Sequence, residues 1–469
     1  MTDRSISLER DRAGSEINRL LGWNDSPRSE RAHIAALRLR SPASRSLLLL
    51  IFLGLFFCSL LMVSNVEVNF HVSAYGRGVD AIAPVLALAM VIASAFIFAQ
   101  FSFGYLAGFY LFAMMAGYFW LNTFGTLGYD RGAALISATA SIVFFLAPVL
   151  LITAPAKRLF TLPHAVLDVL PVCILGLSAL VFLLSAFNGI HVVGLADMYK
   201  YRDLLDHSRA LDYFVGIFCG ALLPFAFACF FARRRWLMLL ALCAVSLLFY
   251  TVALTKVSLF VSFLLVFSAI LSAYFEPRAV VILSLLVPAA VGIVARTLNT
   301  DIANQVFGFL SFRLLAIPSI SLDHYYVFFA DHPLTHFCQL AFTKAVTDCP
   351  YSDQLGVVLA NWFRLGTMNA SLFATEGVAS VGLLFAPISA FVCGLVIAAG
   401  NKASAGLPSP FIIVSAAAIP HILLNVPLTT TLVSHGLGIL FLLWYITPRD
   451  YFEERWPALK PAVPAAANP

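Results

Sequence analysis

The side chains in this sequence best placed to do chemistry are cations. Tyr199-Lys200-Tyr201-Arg202 and Arg209 fall in one short polar stretch, and Arg296, Arg313 and Arg364 lie in or beside a longer one. Guanidinium groups bind phosphate oxygens two at a time, so this set suits a phosphate-bearing ligand. The alternative is contact with lipid headgroups, or pairing with Asp197, Asp203 and Asp206. Arg313 sits in Phe312-Arg313-Leu314 after an apolar run, where a lone cation needs a partner or must reach the interface. Asp331, His332 and Glu376 are the groups able to act as a base on a hydroxyl, although Glu376 could equally pair with an arginine. His324, His332 and His336 crowd one window, but their spacing fits no standard ligand pattern, and no metal is expected. Cys338 and Cys349 share a polar segment, where they would form a disulfide in an oxidising compartment or remain two thiols.

The elements that must carry these groups are membrane helices. The chain has 469 residues, of which 61% are hydrophobic and 11% charged, too few charges to cover a soluble surface. Apolar runs long enough to cross a bilayer fall near 46–64, 81–100, 103–122, 133–153, 166–187, 213–231, 236–254, 257–275, 279–297, 378–399, 409–425 and 428–446. They lack the alternation of barrel strands, so the expected fold is an all-α polytopic membrane protein of about twelve transmembrane helices. Cys58, Cys173, Cys219, Cys229, Cys243 and Cys393 lie inside these runs and read as small hydrophobes.

Charge orients the spans. Arginines crowd residues 1–45, and Lys157-Arg158, Arg233-Arg234-Arg235, Arg278, Lys402 and Arg449 fall on the same side, which marks that side as cytoplasmic. No small-residue cleavage site follows the first run, so it is expected to stay as an anchor. The resulting organisation is a basic tail (1–45), spans one to nine (46–297) with a far-side loop at 188–212, a large loop (298–377), spans ten to twelve (378–446) and a second tail (447–469). The large loop is rich in Phe and Tyr and is expected to lie against the membrane face as short helices. Both tails are expected on the cytoplasmic side.

Absences narrow the function. There is no GxxxxGK[ST] phosphate loop, no GxGxxG after a strand, no HExxH and no DxD pair. His421 and His435 are the deepest ionisable groups, fewer than an ion-coupled transporter usually carries, and each reads first as a helix–helix hydrogen bond.

Asp197-Met198-Tyr199-Lys200-Tyr201-Arg202 in a mid-chain outer loop, Thr255-Lys256 through Leu259, Arg313 opening a large late loop, and Asn369, Gly377 and Gly382 closing it form a recognisable series. The arrangement resembles the bacterial oligosaccharide repeat-unit polymerases, the Wzy-type O-antigen and exopolysaccharide polymerases, over nearly the whole chain. The resemblance implies a GT-C-like membrane enzyme of the bacterial inner membrane, with the two loops periplasmic. Its donor would be a glycan on undecaprenyl diphosphate and its acceptor one repeat unit on the same lipid. Flippase and chain-length regulator proteins would be partners, with no cofactor, metal or nucleic acid. In this frame Arg313 and Arg202 would stabilise the diphosphate leaving group, backed by Arg296, Arg364, Lys256 and Lys200. Glu376, Asp331 or His332 would act as base, and Tyr199, Tyr325, Tyr326 and Trp362 would meet the substrate. The competing expectations are an O-antigen ligase-type transferase and a transporter or flippase of lipid-linked sugars.

Overall fold

The computed structural model describes residues 41–66, 79–187, 189–191, 193–194, 209–340, 343 and 348–452, with backbone alone at Arg209, Ala210, Asp212 and Lys256. The regular structure of these residues is helical, without strands. Among the described residues ten helices are long and apolar enough to cross a membrane: α1 (Pro42–Val66), α3 (Phe103–Phe124), α4 (Arg131–Leu151), α5 (His164–Ala186), α6 (Tyr213–Ala232), α7 (Trp236–Ala253), α8 (Val257–Tyr274), α9 (Pro277–Leu298), α10 (Asp301–Asp331) and α12 (Phe373–Ser404). The helix α2 (Ile82–Phe98) is shorter, and α11 (Leu355–Phe363) is a single short helix between α10 and α12. The C-terminal part is broken into α13 (Ser409–Ser415), α14 (Ile419–Leu423), α15 (Leu428–Val433) and α16 (Leu437–Ile446). The chain is therefore an all-α, multi-pass membrane protein.

Helix starts follow the sequence. Ser102, Asp130 and Thr255 each accept a hydrogen bond from a first-turn backbone N–H, and Glu276 does so ahead of Pro277. The most apolar window of α3 is buried throughout, which makes α3 the axis of the bundle. Gly117 lets α10 approach that axis: a Cβ there would lie 2.3 Å from Ser319 Oγ, which donates to the Met114 carbonyl at 2.8 Å.

The second leg of α12 packs along α4 in parallel. Ser137 near the start of α4 donates to Leu383, and Asn401 near the end of α12 donates to Val149 and Ile152. Asn401 also accepts from the Gly104 N–H. One buried amide thus ties three helix ends. Asn401→Leu would leave these groups unpaired and is expected to destabilise the protein by about 3 kcal/mol. Thermal unfolding of the purified protein reads this.

Contacts fix two faces. Arg45 at the start of α1 donates to Ile97 at the end of α2, and Arg233 after α6 pairs with Asp168 at the start of α5 at 3.1 Å. Arg158 bonds Thr447 on the same side, so the start of α1 and the segment after α16 both lie on this near face. On the far face Arg296 at the end of α9 meets Asn304 at the start of α10. The far end of α10 meets the turn between α3 and α4, where Tyr129 bonds Asp323. Helices α3 and α9 run the same way through the bundle, so both ends of α10 lie on one face. Though long enough to span, α10 dips obliquely and returns. One long helix thus takes the first part of the segment 298–377, where only short helices were expected, and α11 is a short helix in the rest of it.

The three late apolar runs fold less simply than straight helices. In α12, Ser389 Oγ donates to the Glu376 carbonyl at 2.6 Å, whereas thirteen residues of straight helix would separate them by about 20 Å. The chain folds back at Gly382, whose φ of 72° only glycine adopts without strain. The first leg is a half-helix with buried Phe373 against Phe145, deep along α4. The runs at 409–425 and 428–446 are not two continuous helices: they are broken into four short ones that together form one excursion. It rises from the near face through α13 and α14, crosses at α15, and returns along α16, where Trp444 Nε1 donates to Ser415 Oγ at 3.0 Å. Pro420, Pro427 and Gly436 stand at the breaks, where a continuous helix could not pass. Irregular backbone at such depth is tolerated where protein surrounds it.

Candidate functional site at the far face

The second half of α10 is the hub of the far face. Asp323, His324, Tyr325, Tyr326 and Phe328 are all buried, and they point to different neighbours. Tyr326 stacks on Tyr118 of α3 at 4.8 Å between ring centres and on Tyr129 at 6.2 Å. His324 meets Phe363 of α11 edge-on, and Phe328 stacks on His332 and meets Trp362. Tyr325 lies within electrostatic reach of Glu376 on the other side.

Asp323 accepts a hydrogen bond from Tyr129 Oη. With its proton on Asp323, Tyr129 must accept from Tyr118 Oη, 3.2 Å away, and Tyr118 accepts in turn from Asn122 Nδ2 at 3.4 Å. Each donor serves the next group and the chain ends on a carboxylate, an arrangement in which the bonds polarise one another. Burial first, then the Asp323 charge, pushes the Tyr129 hydroxyl above its usual pKa, so it stays a donor. Arg131 lies over the Tyr129 ring at 4.9 Å, but its N–H groups serve the Leu121, Asn122 and Leu127 carbonyls. It holds the turn and forms no ion pair among the described residues.

Glu376 lies on the first leg of α12, buried, not at the membrane face where the sequence suggested it. Oε1 accepts from Thr429 N at 3.1 Å and Thr429 Oγ1 at 3.3 Å, and Oε2 accepts from Thr375 Oγ1. The half-helix from the far side and the broken excursion from the near side are thus joined at one carboxyl. Neither Asp323 nor Glu376 forms an ion pair among the described residues.

The other expected site residues are spread out. Arg296 is half-buried and positioned, with Nη1 3.1 Å from both Asn299 Oδ1 and Asn304 Oδ1 and the guanidinium over Phe307. Arg313, Asp331 and Arg364 are exposed, and no bond among the described residues links them to Arg296 or Glu376. Arg313 lies on the exposed side of α10, opposite Ser311 and Leu315, so the expected grouping with Arg296 is not formed through it. His332 Nδ1 is 2.8 Å from the Phe328 carbonyl and its ring is packed between aromatics, which suits a wall better than a free base. Tyr199, Lys200 and Arg202 lie outside the described residues, as does the side chain of Lys256. Among the described residues no group of His, Cys, Asp and Glu could hold a metal.

Cys338 and Cys349 are joined in a disulfide. The chain flanking the disulfide is latched to the fold of α12, where Thr335 N donates to Ala379 at 2.8 Å and Thr335 Oγ1 meets Ser380 Oγ at 3.0 Å, and its two sides are tied together by Tyr351 Oη, which donates to Pro333 at 2.7 Å. Cys338→Ser with Cys349→Ser is expected to weaken this latch by about 3 kcal/mol, the closure entropy of a short loop. Faster amide hydrogen exchange at Thr335 and Cys338, with the bundle helices unaffected, is the measurement.

Asp323, Tyr129, Tyr118 and Asn122 were not singled out in the sequence. The available signal was an acid inside the aromatic run Ser321-Leu322-Asp323-His324-Tyr325-Tyr326, which cannot be buried without a donor. Comparison of the chain with family models, curated proteins and solved structures gives no match.

Proposed function

We propose that this protein transfers glycan from a lipid diphosphate carrier at the far face of a bacterial inner membrane, polymerising oligosaccharide repeat units. One observation carries the reading: two buried carboxylates that have no ion-pair partner among the described residues, Asp323 on the aromatic second half of α10 and Glu376 on the half-helix beside it. Glycosyl transfer to a sugar hydroxyl needs a carboxylate to take the proton and a cation for the departing diphosphate. Asp323, with Tyr129 as its one hydrogen-bond partner among the described residues, suits the base better than Glu376, whose two oxygens are both occupied. Arg296, already held by two amides, suits the diphosphate better than exposed Arg313. Tyr129 and Trp362 supply aromatic surface for sugar rings.

In cells lacking the gene, complementation with Asp323→Asn or Arg296→Ala is expected to yield single repeat units in place of polymer, with the protein present in the membrane at normal level. Polymer of normal length from both variants would sink the assignment. Lipid-linked polymer left unattached would indicate a ligase-type transferase instead.

A second reading is favoured by the half-helix of α12 and the broken excursion of α13–α16 meeting inside the bundle at Glu376 and Thr429, since interrupted helices meeting at depth also form transport sites. A transporter of lipid-linked sugars predicts that loss of the gene traps the lipid-linked unit on the near face, inaccessible to added far-side enzymes. A polymerase predicts that the unit reaches the far face and stays single.

A further inference from the structure

The near face holds a pair of arginines that the proposed reaction does not use. Arg158 lies in the irregular chain between α4 and α5 and donates to the Thr447 carbonyl and, at 3.5 Å, to Trp444. Arg449 follows two residues after Thr447. Its Cδ and Nε rest against Gly406, where an added Cβ would sit 2.7 Å from each. Gly406 has a φ of +85°, so both the backbone conformation and the close contact call for glycine under this side chain.

No described carboxylate is paired with either guanidinium. Asp450, the next residue, lies 3.3 Å from His164. Arg449 Nε and Nη2 are buried and without a hydrogen-bond partner among the described residues. Burial first, then the adjacent Arg449 charge, lowers the pKa of Arg158, which records two cations held close together. Buried donors without acceptors, and like charges without a counterion, are both costly arrangements. A ligand with negative charge and several acceptor oxygens offsets the like-charge cost and can take the N–H groups of the two guanidinium groups that the protein leaves free, and phosphate suits that role.

The surroundings select its source. Leu151, Leu159 and Phe160 are 80%, 88% and 58% exposed beside Arg158, apolar surface suited to acyl chains. Lys157 and Lys402 are exposed at the same place, where the Ala156 N–H donates to the Lys402 carbonyl at 3.1 Å. We propose that Arg158 and Arg449 form a binding site for the phosphate group of an anionic membrane lipid at the near face.

Native mass spectrometry of the full chain, purified in neutral detergent and mixed with phosphatidylglycerol or phosphatidylcholine, tests this. The wild-type protein is expected to retain phosphatidylglycerol about tenfold more than phosphatidylcholine, and Arg449→Gln to lose that preference. Arg449→Lys keeps the charge without the fork and is expected to fall between them, which guards against a folding defect in Arg449→Gln. Displacement of the lipid by inorganic phosphate supports recognition of the phosphate alone. Persistence of the lipid, with the preference still dependent on Arg449, supports recognition of the whole lipid. Equal retention of the two lipids by the wild-type protein, or a preference unchanged in both variants, overturns the proposal.

Discussion

Glu376→Ala is expected to lower stability by about 4 kcal/mol and to abolish product, the largest effect of any single change in the far half of the molecule. Three donors converge on this carboxyl: the Thr429 N–H, the Thr429 hydroxyl and the Thr375 hydroxyl. Truncation leaves the Thr429 N–H facing a void inside the bundle, costing about 1–3 kcal/mol for the orphaned donor and a similar amount for the lost volume. The damage is not confined to the residue. Thr429 opens α15, the turn of the excursion from the near face, and Glu376 lies on the half-helix from the far face. The carboxyl is the polar link between two elements that reach the interior from opposite sides. Glu376→Gln keeps an acceptor for Thr429 and loses part of the contact with Thr375, so it is expected to cost about 1–2 kcal/mol and to retain product. Thermal unfolding of the two variants, with glycan analysis of cells carrying them, separates a fastening role from a catalytic one. Loss of product in Glu376→Gln at near-normal stability would transfer the base role from Asp323 to Glu376.

How far the sequence reached can be judged from particular segments. Helices α1 and α3–α9 were legible because each is an apolar run of membrane-spanning length, and burial of a backbone in lipid leaves such a run no other structure. The course of α10 was not legible in this way. Asn304, Arg313, Asp323 and His324 interrupt its hydropathy, while its continuity comes from packing on Gly117 and Gly292, which sequence spacing does not reveal. Gly382 stood out only as one of the residues closing the large loop. Its actual use is a positive φ at a reversal, and hydropathy carries no information about chain direction. The breaks in α13–α16 had a visible cause in Pro420, Pro427 and Gly436, outweighed by the apolar runs around them.

The site residues divide along the same line. Cys338 and Cys349 could be paired because they share a segment, and Arg296 could be listed because cations near a span end are conspicuous. Asp323 and Tyr129 are 194 positions apart, and their meeting depends on α10 dipping and returning on the far face. A charge-based reading therefore favoured Arg313, which the same helix turns outward.

That pairing supports the second large prediction. Tyr129→Phe removes the hydroxyl that donates to Asp323 and leaves a buried carboxylate with no described hydrogen-bond partner, so a loss of about 3 kcal/mol is expected. Tyr118 loses its acceptor at the same time, and the stacking of Tyr326 on both rings is retained. Asp323→Asn on its own is expected to cost less, about 1–2 kcal/mol, because the amide oxygen still accepts from Tyr129. If the two side chains stabilise the fold through their mutual bond, the double variant should be less damaged than the sum of the single changes by at least about 1 kcal/mol. Chemical denaturation of the purified variants in detergent gives this difference. Additive effects would mean that Asp323 is satisfied by some other donor, and the hydrogen-bond chain from Asn122 through Tyr118 and Tyr129 would then have no claim to set the state of the carboxylate. A strong coupling, together with product lost in Asp323→Asn but retained in part by Tyr129→Phe, would place the reacting group at the carboxylate and leave the tyrosine to orient it.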